Sequence, residues 1–357
     1  MISADAILTG TDWAALAHAH GDAGDLPAQL AGLLSGDPGV AGRALGTLGC
    51  SVLHEGSLHS STAPAALFVA AVLGDPRTGL SIGRRPLRAA LLQWLGAVAE
   101  CSSWGEDAGD DDGEGDEDPA AVAACREIRG DLYRTASLYL DDPDPAVRTA
   151  ATGAAGHLLA APELAGFRPA AAERLLRDTA GREPVERANA ALTLARWDIA
   201  PRELLADAAR PVRVYAALAP VLDSDPHALA LVRDGLRDPA AADRWFPPYA
   251  VLLAGWPRFA LVRALLRRTT GFAEVLDEAL AIARMTSQYT VGADWGPLLQ
   301  RAFPTPYSRD LLPRQRAFLA ALAGNDACWG SSGGPVTWFT RAGLPHRRDD
   351  IRTLLRG

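Results

Sequence analysis

The apolar positions of this chain recur with the period of a helix and almost nowhere with that of a strand. In the clearest stretch, apolar residues follow Val147 at Ala150, Ala151, Ala154, Ala155, Leu158 and Leu159. That i, i+3, i+4, i+7, i+8 stripe predicts a helix buried along one side. A second stripe, PAAAERLLRDTA from Pro169 to Ala180, predicts its antiparallel partner, and LRAALLQWLGAVA around Trp94 predicts a core helix. No segment alternates as a β-strand does, and none holds the run of apolar residues that a membrane span needs. The pattern therefore predicts an all-α fold.

The predicted helices also begin alike. Six times a proline opens one and an arginine follows shortly: Asp37-Pro38…Arg43, Pro86…Arg88, Asp144-Pro145…Arg148, Glu183-Pro184…Arg187, Arg210-Pro211…Arg213 and Asp238-Pro239…Arg244. An acid is a good N-cap, and proline suits the first helical position, where its missing N–H costs nothing. Recurrence of one start signal at intervals of a few tens of residues marks a helical repeat array. The intervals are uneven, and the two short ones predict a clipped second helix, PRELLADAA at 201–209.

The helix pair headed by Asp142-Asp-Pro-Asp-Pro-Ala-Val-Arg148 resembles a HEAT repeat of the kind found in many bacterial proteins. The resemblance covers about residues 37–290. It implies a right-handed α–α superhelix, with 1–36 and 291–357 as helical caps on the array. It also implies a hydrogen-bonded ladder between successive first helices, for which Asp144, Arg148, Arg187 and Arg213 stand at the matching places. The loop His54-Glu55-Gly56…Ala63-Pro64-Ala65 and the run from Leu311 towards the C-terminus are similar to parts of actinobacterial HEAT-repeat proteins.

Composition narrows the chemistry. The chain has 357 residues, 48% of them hydrophobic, and a net charge of −8. All 35 basic residues are arginine, which removes Schiff-base and lysine-nucleophile mechanisms. The N-terminus has no basic stretch followed by an apolar core, so the reading is a cytoplasmic protein without a signal peptide. Cys50, Cys101, Cys125 and Cys328 lie too far apart in sequence for a metal or disulfide framework and are expected to pack as small hydrophobes.

Charge is unevenly spread. Residues 106–118, EDAGDDDGEGDED, carry nine acids and no base, which predicts a solvated insert at about 104–118. A calcium-loop register fails there, because Ala121 stands where a bidentate Glu is required. Residues 168–268 hold 16 arginines against 12 acids. Of these, Arg233, Arg237, Arg263 and Arg267 fall on predicted second helices, the concave side in HEAT-like arrays. Beside them Trp245, Tyr249 and Trp256 crowd a segment broken by Pro247 and Pro248, and aromatics with arginines suit a protein-binding surface.

Catalytic constellations are sparse. His54, Glu55 and His59 share a polar loop, but the spacing is not HExxH and Gly56 interrupts any helix. The loop around Ala327–Pro335 lacks the lysine and spacing of a phosphate-binding loop. No nucleophile, base and oxyanion site assemble. The leading expectation is a non-enzymatic interaction scaffold without cofactor or metal, binding another protein, a basic one if the acidic insert takes part. Its narrower form is an immunity-type protein that occludes a toxin. The alternative is a HEAT-like enzyme acting on nucleic acid, such as a DNA glycosylase, with Trp197-Asp198 or Asp243-Arg244-Trp245 facing the groove.

Overall fold

The computed structural model describes residues 3–103, 118–177, 179–247, 251–253, 255–307, 310–330 and 333–357. The acidic run lies outside them except for Asp118, and so does Tyr249. The chain divides into two compact units, Met1–Gly181 and Arg182–Gly357, and the division falls inside the stretch expected to be one array.

The first unit holds nine helices among its described residues: α1 (Ala4–Gly10), α2 (Leu26–Ala31), α3 (Pro38–Thr47), α4 (Thr62–Val72), α5 (Leu87–Cys101), α6 (Pro119–Glu127), α7 (Arg129–Ala136), α8 (Pro145–Leu158) and α9 (Arg168–Arg177). Their starts follow from local chemistry. Asp37 accepts from the Val40 N–H, Asp118 from Ala120 and Asp144 from Ala146, each satisfying a donor that the first turn leaves open. Asp118, the last acid of the run, is thus a helix cap. Pro86 departs from expectation: it precedes α5 as its N-cap, in extended conformation, instead of standing inside the first turn.

α5 and α8 form the most extensive helix pair of the unit. The whole predicted stripe of α8 is buried, and so are Thr152, Gly153 and Gly156, so this helix is enclosed on more than one side. Trp94 of α5 is in the core and donates its indole N–H to the Leu48 carbonyl. Helices dominate, as the all-α reading expects, and three two-residue β-ribbons punctuate them: β1 (Ala17–His18) with β2 (Gly21–Asp22), β3 (Leu53–His54) with β4 (Ser57–Leu58), and β5 (Ser81–Ile82) with β6 (Arg85–Pro86). Each is antiparallel with a two-residue turn, too short for alternation to register. In the second ribbon Glu55 and Gly56 both take positive φ, 51° and 89°, as a type I′ turn requires.

The second unit continues with α10 (Pro184–Arg196), α11 (Arg210–Ala216), α12 (Pro226–Leu236), α13 (Pro239–Ala242), α14 (Pro257–Arg268), α15 (Leu276–Met285), α16 (Trp295–Ala302), α17 (Pro313–Gly324), α18 (Gly334–Arg341) and α19 (Arg348–Arg356). The clipped helix expected at 201–209 is a short 3-10 segment, Arg202–Ala206. α12, the helix expected to carry Arg233, is capped by Asp225 at His227 and Ala228, and its head Asp225-Pro226 repeats the start signal beyond the six instances named above. Near the C-terminus Phe339 stacks on Trp329 and meets the buried Trp295 at a tilt of 54°. No helix among the described residues is long and apolar enough to cross a membrane.

Candidate functional site

The turns before α8 and α11 carry the same bonding pattern. Arg213 donates to the carbonyls of Asp207 at 2.6 Å and Ala208 at 3.0 Å, and Arg148 to those of Asp142 at 2.8 Å and Pro143 at 3.0 Å. Each aspartate lies six residues before its arginine and accepts a backbone N–H two residues on: Ala209 for Asp207, Asp144 for Asp142. Each also faces an arginine of another helix. Arg187 of α10 bonds Asp207 at 2.8 and 3.0 Å, and Arg88 of α5 approaches Asp142 at 3.8 Å. Burial works to raise the Asp207 pKa, but the hydrogen bonds from Arg187 and Ala209, with the charges of Arg187 and Arg213, hold it below the usual range. Asp144, expected on the ladder, only caps its own helix: its carboxylate is taken by the α8 amides. The Asp142 and Asp207 carboxylates stand where an arginine of another helix reaches them.

The six described residues expected at a binding surface are spread over several places, Tyr249 lying outside the described residues. Arg233 and Arg237 line an open concavity of about 450 Å³ between α12 and α15, over a floor of Leu236, Leu280 and Ala281. Asp277, Glu278 and Arg284 complete its wall. Arg233 lies 3.8 Å from Glu278 and donates to the Glu274 carbonyl; Arg237 lies 3.5 Å from Asp234. Arg263 and Arg267 border a smaller hollow of about 290 Å³ with Val262, Leu266 and Pro297. Arg267 bonds Asp223, which also accepts from the buried Arg268. Trp245 packs edge-on against Tyr215 beneath the Arg210 guanidinium. Trp256 is 45% exposed, which leaves a large apolar face in solvent.

The residues proposed for a glycosylase-like site are engaged in structure. Trp197 is buried and Asp198 takes a left-handed φ of 58° at the end of α10. Asp243 pairs with Arg258, whose Nε also donates to the fully buried Asp294 at 3.0 Å. Thr286 donates to the same Asp294 oxygen, Oδ2, and the Trp295 N–H satisfies Oδ1, at 2.7 Å each. Burial pushes the Asp243 carboxyl above the usual range in spite of Arg258, with Asp294 adding to the rise.

His54, Glu55 and His59 lie on the β3–β4 hairpin and its exit, where two unforeseen histidines join them. The His20 ring stands 5.5 Å from His54 and 5.9 Å from His18. Nothing in the local sequence connects residues 18–20 with 54–59; hairpin docking does. Among the described residues no group of three or more His, Cys, Asp or Glu side chains is placed to hold a metal ion. Cys101, Cys125 and Cys328 are buried as expected, with burial pushing the Cys125 and Cys328 thiols up to about 12. Cys50, by contrast, is exposed.

The geometry defines a helical protein with charge-lined concavities. In comparisons with known proteins, no family model, curated protein or solved structure matches the chain.

Proposed function

We propose that this chain is a non-enzymatic scaffold that binds another protein, built as a HEAT-like right-handed superhelix and acting in the cytoplasm. The repeated turns at Asp142 and Asp207 support the HEAT-like reading, because each carboxylate faces an arginine of another helix, Arg88 and Arg187 respectively, as in the ladder of that family. The observation that carries the binding function is the α12–α15 concavity, where Arg233, Arg237 and Arg284 alternate with Asp277 and Glu278 over an apolar floor. Charges of both signs around exposed apolar area suit a protein surface. A phosphate backbone would instead favour an uncompensated basic excess, yet Arg233, Arg237 and Arg267 each face a carboxylate. The narrower form of the proposal is an immunity-type protein whose partner is a toxin occluded on this surface.

The test is a pull-down with the wild-type protein and an Arg237→Glu, Arg284→Glu variant. One stoichiometric protein, retained by the wild type and lost by the folded variant, is expected. Recovery of nucleic acid alone, falling steeply with salt, overturns the reading.

A further inference from the structure

We propose that His18, His20, His54 and His59 form an acid-sensitive latch that holds the β1–β2 hairpin on the β3–β4 hairpin. The hairpins dock mainly through backbone groups. The Ala19 N–H donates to the Ser51 carbonyl at 3.0 Å, the Ser61 N–H to the Ala17 carbonyl at 3.2 Å, and the Ala17 N–H to the Ser60 hydroxyl at 2.8 Å. The four imidazoles gather beside these bonds, and the bond that closes the His18 turn calls for a neutral ring there. His18 Nδ1 accepts the His20 N–H at 3.0 Å, so its own proton sits on Nε2, facing Asp25 at 3.2 Å. His20 Nε2 lies 3.0 Å from the Cys50 carbonyl, an acceptor only, so that nitrogen carries the proton. His59 Nε2 is buried and finds no partner.

Protonation therefore meets resistance at two points. A charged His18 has a proton on Nδ1 and can no longer accept the amide that closes its turn. A charged His59 is a half-buried imidazolium, with its Nε2 buried, near three other imidazoles. Its pKa is lowered first by burial and then by the charges that His18, His54 and His20 acquire. At His18 the Asp25 carboxylate works the other way, so the resistance rests chiefly on His59, whose buried Nε2 has no partner. Asp25 faces His18 and also accepts from Gln29, the exposed Asp22 lies on β2 and the exposed Glu55 on the β3–β4 turn, and Cys50 offers its carbonyl. α4, which starts three residues after His59, carries no ionisable side chain.

The direction follows by linkage. In the undocked hairpin His59 regains its ordinary pKa of about 6.5, so the open form binds the proton more readily than the closed one. The latch is fully closed above that pH and opens as pH falls below it. Each pH unit over which the open form holds one extra proton shifts the opening about tenfold.

The experiment is amide exchange by NMR at about pH 7.5 and about pH 5.5, corrected for the intrinsic rate. Protection of the Ala17, Ala19 and Ser61 amides is expected to fall at least about threefold on acidification, with core amides such as Val69 and Leu95 unchanged. In a folded His59→Gln variant the fall is expected to shrink while the protection near neutral pH persists. Equal protection at both pH values, or a parallel loss at the core amides, overturns the latch. Should the variant not fold, titration of the wild-type imidazoles decides: a His59 pKa below the ordinary value supports the latch, and one at or above it overturns it.

Discussion

Gly96 of α5 lies so close to Ala154 of α8 that a methyl group on Gly96 would stand 3.2 Å from the Ala154 Cα. The two backbones meet at this point with no side chain between them. A β-branched side chain has nowhere to go, so Gly96→Val is expected to cost about 1–3 kcal/mol through overpacking. Gly96→Ala should cost less, since the neighbour need give only a few tenths of an ångström. Thermal melts of the two variants check the order.

Arg258 should be among the most sensitive positions in the second unit, because its removal leaves Asp243 and the fully buried Asp294 without their cation. Arg258→Ala is expected to cost about 3–5 kcal/mol. The loss should be smaller near pH 5 than near pH 8. A carboxyl whose folded pKa is raised, as at Asp243, binds a proton more readily folded than unfolded, so its unfavourable contribution fades as pH falls. Urea melts at the two pH values measure the difference.

Asp207 should govern part of the acid limb of stability. Its folded pKa is held below the ordinary carboxylate value, so its contribution is fully present above about pH 4 and is lost as pH falls through the folded value. Arg187→Ala is expected to cost about 2–3 kcal/mol at neutral pH, the range for a charge-assisted hydrogen bond. Asp207→Asn should flatten the acid limb. An unchanged limb in that variant would assign it to other carboxylates.

Asp144 and Asp142 should behave differently. Asn caps a helix about as well as Asp, so Asp144→Asn should be nearly neutral, while Asp144→Ala loses about 1 kcal/mol. If Asp144 instead served an interhelical ion pair, loss of its charge in the Asn variant would carry most of the cost. Denaturant midpoints of both variants distinguish the cases.

The sequence announces these helices where the start signal and the stripe coincide, as at Asp144-Pro145 followed by the alanine face of α8. It is less plain where a short helix has little face to show. Asp225-Pro226 carries the same signal, but α12 follows closely on the one-turn segment Pro220–Leu222 behind α11, so its head falls outside a regular repeat spacing. The arginines of the turns, Arg148 and Arg213, were legible and their acids were not: before α8 both Asp142 and Asp144 stand near the start, and only geometry shows that Asp144 caps while Asp142 faces Arg88. Arg258 and Asp294 are 36 residues apart, and His20 and His54 come together through hairpin docking. Such pairings depend on tertiary contact and leave no periodic trace in the chain.

The aspartate turns before α8 and α11 have a mechanical consequence. A single residue offers its carbonyl to the arginine of its own helix and its carboxylate to an arginine of another. Sliding one helix past the other by a turn would displace these atoms by about 5.4 Å, beyond the reach of any hydrogen bond. The turn thus works as a detent: the two helices can tilt about it, but they cannot creep along one another by fractions of a step.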